Sequence, residues 1–494
     1  MKKFKYIVVL LFLASSLIAC DKRYEDLLVS PNDPTTAAPI NILHSLVMDT
    51  WFWPWDDESN DCQFFVETLA LYDDQDYLFG EYGMNYNEIL NIKQMYAEVE
   101  SNGSDDLKAF YPVGKFLEAY FYIMMTDRLG DIPMSEAVMG DEGNFTPAYD
   151  TQKEVYTACL ELLEEANEEI QPFVEAGINI GEDLYFSGDL VKWQKAINTF
   201  HVRLLLNLSK RTDEMDVAAR LSTIVLNPAK YPLMESGADN MQITYAGGTN
   251  DCYVLYPDET FLEKSRNGIG LAYMNLIQKY EDPRIFIQAT PADSVNVDVV
   301  GRERMFDSYI GLNAGLDMTV LNNQLTSGLA SYVNFDTYIN ATGLPTVQLG
   351  YPELQFSLAE AAHRGWISGD AATYYTNGIV DDMEFYGVSQ DDIDTFLARS
   401  ENQYPGATDQ GLTMILEQKY VAFFQNSGYQ AFYEQRRTGV PTFDVGVGNK
   451  NGSIPKRWTY PDDERINNSA NLTEALVRQF GGTDDINNVM WLVE

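Results

Sequence analysis

A dense run of aromatic and acidic side chains between residues 51 and 86 carries the chemistry most open to a ligand. Trp51, Phe52, Trp53 and Trp55 gather around Pro54, beside Asp56-Asp57-Glu58. Tyr72, Tyr77, Phe79, Tyr82 and Tyr86 follow, interleaved with Asp73, Asp74, Asp76 and Asn85. Sugar rings have apolar faces that stack on Trp and Tyr, and carboxylates and amides take their hydroxyls. Rigid rings make such contacts with little loss of side-chain freedom. Trp53, Trp55, Tyr77 and Tyr82 stand in Pro-, Gly- and Asp-rich surroundings that favour exposure, and they are the candidate ligand-binding residues. The competing assignment packs the same rings into the N-terminal edge of a scaffold. Tyr253, Tyr256, Arg266 and Asn267 form a second, weaker patch.

Other chemistry has little support. His44, His201 and His363 are the only histidines, widely separated and outside any HExxH spacing. His201 abuts an apolar stripe and is expected to be a hydrogen-bonded packing residue. GxSxG, the phosphate-cradling P-loop and GxGxxG are all missing. Carboxylate pairs are unavoidable among 74 acidic residues and identify no glycosidase. Arg436-Arg437 reads as a pair of internal salt-bridge donors ahead of an anion grip. Asp56, Glu58, Asn60 and Glu67 echo positions of a calcium loop, but the obligatory glycine is Asp61. Cys62, Cys159 and Cys252 are odd in number with no CxxC, neither a disulfide framework nor a zinc site. Cys159 lies in a helical stripe and reads as a small buried hydrophobe. No catalytic residue, metal or cofactor is expected.

Helices must position these groups. Thr151 and Glu154 have capping-box spacing. Behind them Val155, Cys159, Leu162, Leu163, Ala166 and Ile170 recur at helical intervals, glutamates fill the opposite face, and Pro172 is expected to close the run. Trp193, Ile197, Phe200, Leu204 and Leu208 make a second stripe. Leu354, Leu358, Ala361 and Ala362 make a third. Asp370 caps a fourth helix carrying Tyr375, Ile379, Met383 and Tyr386, so the last two should form an antiparallel hairpin. Trp193 and Trp366 are expected in the core. Tetratricopeptide units are built from such pairs, although no repeat of about 34 residues is visible. Stretches near 227–260, 285–350 and 438–470 are rich in Gly, Pro, Asn, Asp and Thr, with short alternating runs such as Met241 to Tyr245. Loops of that length in a compact protein are usually functional. The expected fold is mostly α, a helical-hairpin scaffold with long irregular loops and a few short strands. It forms one domain over 20–494 with irregular insertions around 227–350.

The N-terminus sets location. Lys2, Lys3 and Lys5 precede an apolar run, and Leu17-Ile18-Ala19-Cys20 has the form of a bacterial lipobox, in which the Cys20 thiol is acylated. The run falls short of the roughly 20 residues a spanning helix needs. Residues 1–19 are therefore expected to be a lipoprotein signal peptide and Cys20 the lipidated residue. Several acyl chains would tether the protein firmly, since one alone binds only marginally. The formal charge of −41, from 33 basic and 74 acidic residues, argues against nucleic acid as a partner. Hydrophobic residues at 45% and aromatics at 13% exclude a disordered chain.

An ordered set of motifs resembles one family. Tyr351-Pro352-Glu353-Leu354 through Glu360-Ala361-Ala362, Gly365-Trp366-Ile367 and Tyr386-Gly387-Val388 strongly resemble the SusD/RagB-like outer-membrane lipoproteins of Bacteroidetes, in the SusD-like type 2 branch. Pro31-Asn32-Asp33-Pro34-Thr35, Thr126-Asp127-Arg128-Leu129-Gly130-Asp131-Ile132-Pro133, Asp282-Pro283-Arg284 and Arg436-Arg437-Thr438-Gly439-Val440-Pro441 fit the same pattern in order. The resemblance implies a surface lipoprotein built from tetratricopeptide-like helix pairs plus an irregular ligand-binding part. It also implies a lid seated on a SusC-like TonB-dependent β-barrel transporter, capturing nutrient oligomers without turning them over. The shared motifs are mostly scaffold elements and ligand contacts vary between members, so no binding residue is carried across from them. Lys22-Arg23 interrupt the acidic stretch that surface-exported members often carry after the lipid cysteine.

The resulting expectation is a nonenzymatic, lipid-anchored, outer-membrane protein exposed at the cell surface. It would bind oligosaccharides, with peptides the next ligand class, an exported glycosidase the rival function and a ligand-free assembly factor a third.

Overall fold

The computed structural model describes residues 37–55, 57–69, 76–248, 251–253, 256 and 266–494. Cys20, the leader, the 31–35 motif, Asp56, Tyr72, Asp73 and Asp74 lie outside the described residues. The fold is mostly helical, as the sequence pattern requires. Its framework consists of α1 (Pro39–Asp49), α2 (Asn87–Asn102), α3 (Phe110–Leu129), α4 (Gln152–Glu175), α5 (Leu190–Asn207), α6 (Tyr351–His363), α7 (Ala371–Phe385), α8 (Asp409–Ala422) and α9 (Gln430–Thr438). Each of α1 to α5 packs on its successor, α5 packs on α6, and α6 on α7 and α8.

Local signals explain the ends of these helices. Thr151 Oγ1 accepts from Glu154 N at 3.2 Å and Glu154 Oε2 accepts from Thr151 N at 2.8 Å, closing the capping box. Asp189 and Asp370 cap α5 and α7 through their side chains. Pro172 does not end α4, which continues to Glu175. A proline in the last turn forfeits one hydrogen bond while its carbonyl still accepts from Ala176 N, and the left-handed Gly177 beyond (φ 66°) breaks the run instead.

One hydrophobic core runs from Leu43 to Val493, with α5 almost wholly inside it. Trp193 is buried as expected, and its Nε1 donates to Asp183 Oδ2 at 3.2 Å. Trp366 is not a core residue. It sits half-buried in the α6–α7 turn, with Arg364 over its ring at 5.1 Å. Cys62, Cys159 and Cys252 are free thiols, the first two buried.

His201 is buried, but neither ring nitrogen has a hydrogen-bond partner, against the expectation of a bonded one. Burial pushes its pKa down to about 4.

Buried charge is organised into closed clusters. Arg437 grips Glu360 with two bonds of 2.7 Å and also binds Glu434, which accepts from Lys419 Nζ at 2.5 Å. Against the burial that would raise it, Arg437 and Lys419 hold the Glu434 carboxyl down to about 2. Arg203 pairs with Glu353 across α5 and α6, and Arg284 with Asp282 and Asp382. Arg436 departs from the salt-bridge expectation, donating instead to the carbonyls of Asp127 (2.7 Å) and Lys456 (2.9 Å).

The long stretches between helices contain three antiparallel ribbons. β1 (Phe65–Glu67) pairs with β3 (Asn267–Ile269), β2 (Met241–Ile243) with β6 (Thr346–Leu349), and β4 (Ala289–Thr290) with β5 (Tyr332–Val333). Each ribbon therefore staples a loop to a distant part of the chain. Among the described residues no helix is long and apolar enough to cross a membrane.

Candidate functional site

Beyond α1 the chain runs extended through Trp51, Phe52 and Trp53, then turns at Pro54-Trp55 into a single helical turn, Asp57–Asp61. In extended chain, residues two apart share a face. Trp51 and Trp53 do so, their rings stacked with centroids 6.3 Å apart and planes 19° from parallel. Trp53 keeps 38% of its surface exposed. Phe52 points the other way, onto the turn that follows α8.

The turn at Pro54 removes Trp55 from this face. Trp55 is only 7% exposed, edge-on to Tyr338 at 5.0 Å, with Nε1 donating to the Tyr253 hydroxyl at 2.8 Å. Tyr77 is 1% exposed, and its hydroxyl accepts from Gln63 Nε2 at 2.7 Å. These two of the four candidates, expected at the surface, are interior packing residues. Tyr82 is half-buried, its ring 4.5 Å from the Arg128 guanidinium. Of the weaker patch, Tyr253 is buried as the acceptor for Trp55, while Tyr256 is exposed.

Two depressions flank the Asp57–Asp61 turn. A shallow one between Trp53 and the 425–428 turn is bordered by Phe52, Glu58, Gln348 and Asn426. The other, about 280 Å³, is walled by Asp57, Asn60, Asp61, Glu81, Tyr429 and Trp458. Trp53 borders the first depression, and the side-chain oxygens of Asp57, Asn60 and Asp61 line the second, across the same helical turn. Two larger grooves, about 420 and 550 Å³, lie away from the tryptophan segment, and the Tyr429 and Trp458 rings that wall the 280 Å³ depression are themselves buried. Phe79 stacks on Trp458 at 4.1 Å and backs the second depression.

Backbone strain concentrates here. Gln63, Tyr77, Gln425 and Ser427 all have positive φ, between 53° and 64°. Such conformations persist only where the surroundings over-determine them, and they gather at ligand sites. The Gln63 amide fixes one of these turns, donating to Asp444 O and accepting from Asp444 N, both at 2.8 Å. The 425–428 turn is pinned by Ser427 N donating to Val347 O at 2.8 Å. Gly428 (φ 54°) lies so close to Phe52 that a Cβ there would meet its ring at 2.7 Å.

Gln348, the 425–428 turn and Trp458 were not among the sequence candidates. The Ser427-Gly428 dipeptide marks a turn, but nothing local ties it to Phe52. Asp57, Glu58 and Asn60 occupy a helical turn rather than a calcium loop, and no cluster of His, Cys, Asp or Glu able to hold a metal occurs among the described residues.

A family model for SusD-like type 2 proteins, described as starch-binding and associating with the outer membrane, matches residues 58–461. No curated protein matches the chain. A solved SusD homologue from Bacteroides fragilis is 31% identical, spans 93% of this chain and 100% of its own, and superposes with a TM-score of 0.85. A second from that organism is 28% identical over 93% and 100%, with a TM-score of 0.82. A chitin-binding SusD homologue from Flavobacterium johnsoniae, 18% identical over 92% and 98%, shares the fold with a TM-score of 0.73. The match over most of its length places the chain in the SusD-like family of outer-membrane-associated binding proteins.

Proposed function

We propose that this protein captures nutrient oligosaccharides on the Trp51–Trp53 stack and the adjoining carboxylate-lined depression, without turning them over. The observation that carries the reading is the stacked pair itself, with Trp53 exposed, and with a depression of about 280 Å³ at the Asp57–Asp61 turn that follows it, whose walls offer Asp57, Asn60, Asp61 and Glu81. A sugar ring stacks on Trp53 while its hydroxyls donate to the oxygens alongside. Tyr82 forms an edge of the same region, and Trp55 and Tyr77 act from behind, fixing the turns that present it.

In this reading the mature chain begins at an acylated Cys20 and is tethered to the outer membrane at the cell surface. It serves as lid subunit to a SusC-like TonB-dependent β-barrel. Bound ligand can favour lid closure only through contacts made in the closed state. Because a fold relative is described as chitin-binding, chito-oligosaccharides are the first ligands to try, followed by malto-oligosaccharides.

Calorimetric titration of a glycan panel tests the binding role, and Trp53→Ala tests the site. Purification of the native complex from membranes in mild detergent tests the lid role, with a stoichiometric large β-barrel as the expected companion. Turnover of any bound glycan that stops when one carboxylate is neutralised would make the protein an enzyme instead.

A further inference from the structure

Arg128, near the end of α3, is 3% exposed and has no carboxylate partner within ion-pair distance among the described residues. Its Nη1 donates to Met124 O at 3.0 Å and reaches the Tyr82 hydroxyl at 3.4 Å. Among the described residues no acceptor takes a hydrogen bond from Nε or Nη2. The guanidinium is boxed by rings, 4.5 Å from Tyr82, 4.9 Å from Tyr429, 5.6 Å from Trp458 and 6.0 Å from Phe52. Cation–π contacts offset part of the cost of burying the charge, but they satisfy none of its N–H donors. Arg203, Arg284 and Arg437, by contrast, each meet a carboxylate.

Arg128 faces a cavity of about 30 Å³ that Phe52, Ser427, Tyr429 and Tyr433 also line. That is room for roughly two water-sized atoms. The Tyr433 hydroxyl is buried there without a partner. Phe52 and Ser427 also border the shallow depression beside Trp53, and Tyr429 the acidic one. The cavity thus lies directly behind the seam between the two parts of the proposed site.

We propose that the Nε/Nη2 edge of Arg128, with the Tyr433 hydroxyl, receives the carboxylate of an acidic sugar, so that the glycan captured here contains uronic acid residues. A guanidinium edge matches the two oxygens of a carboxylate with parallel hydrogen bonds. Two oxygens are also what a two-water cavity holds. Asp127 also lines the cavity, but its Oδ1 is taken up by the Tyr156 hydroxyl at 2.6 Å, and Arg203 lines the same cavity as a second cation. The inference rests on the oligosaccharide reading and narrows it to a substrate class.

The test is calorimetric titration with tri- to hexameric oligomers of galacturonate, glucuronate-containing and mannuronate sugars, their methyl esters, neutral chito- and malto-oligosaccharides, and short peptides with free or amidated C-termini. The expected result is at least one uronate oligomer binding 10-fold or more tighter than its ester. That preference should vanish in Arg128→Gln and shrink in Arg128→Lys and Tyr433→Phe. Neutral sugars bound as well as acids would overturn the inference and leave the oligosaccharide reading intact. Discrimination of acid from amide by peptides alone would overturn both, as would binding of neither class. If Arg128→Gln does not fold, Tyr433→Phe and a crystal soaked with the uronate decide. A soaked crystal with sugar on Trp53 and no carboxylate against Arg128 ends the proposal.

Discussion

The ring of Trp53 lies against that of Trp51 at 6.3 Å, while two residues on Trp55 turns inward to hydrogen-bond Tyr253. Neighbouring tryptophans therefore have opposite jobs, and substitution separates them. Trp53→Ala should weaken oligosaccharide binding by about 2 kcal/mol, the scale of an aromatic hot spot, with the melting temperature nearly unchanged. Trp55→Ala should cost about 3–5 kcal/mol of stability through cavity formation. Calorimetry for the first and denaturant unfolding for the second check both.

Gly428 offers a sharper test of the turn that shapes the site. Its φ is 54° and a Cβ would strike the Phe52 ring at 2.7 Å. Gly428→Ala should lower stability by about 1 kcal/mol or more. It should also weaken ligand binding by displacing Phe52. Unchanged affinity in the folded variant would mean that this turn does not shape the site.

The ion cluster joining α6, α8 and α9 should respond to loss of one member. Arg437→Met leaves Glu360 to Arg364 and Glu434 to Lys419, each having lost the cation that joined the two buried carboxylates. Removing one partner of a buried pair typically costs about 3–5 kcal/mol. A loss of unfolding free energy in urea denaturation below about 1 kcal/mol would show that water reaches the cluster.

His201 predicts a pH dependence. Burial lowers its pKa to about 4, so the folded state keeps it neutral while the unfolded chain takes up a proton near 6.5. Its contribution to stability is therefore intact above about pH 6.5 and lost progressively as pH falls toward 4. The full loss is on the order of 3 kcal/mol. His201→Leu should remove that slope, read as the difference between unfolding free energies of the two proteins from pH 7 to 4. The Glu434 carboxyl, held down to about 2, loses its contribution as pH falls from about 4.5, equally in both proteins, so it cancels in the difference.

Cys20→Ser should abolish incorporation of labelled palmitate and leave the protein outside the membrane fraction. Retention in that fraction would point to another mode of attachment.

The helical framework was legible because its signals are local. The Thr151–Glu154 capping box, the Asp370 cap and the stripe from Trp193 to Leu208 each depend on spacings within a few turns, and the backbone geometry of a helix translates them directly. Even the errors were small where the information was local, as with Pro172, displaced from the expected end by one turn of helix.

What the sequence by itself determined was the helical stripes, the hairpin of α6 and α7 and the motif order of the family. Only the tertiary structure decided which rings of that segment face outward. Trp55 is drawn inside by Tyr253 and Tyr338, and Tyr77 by Gln63, itself tied to Asp444. Tyr253 stands 198 residues from Trp55, and Asp444 stands 381 residues from Gln63. A tryptophan's local surroundings can favour exposure. Whether it is exposed depends on burial of apolar area against partners that local spacing does not encode.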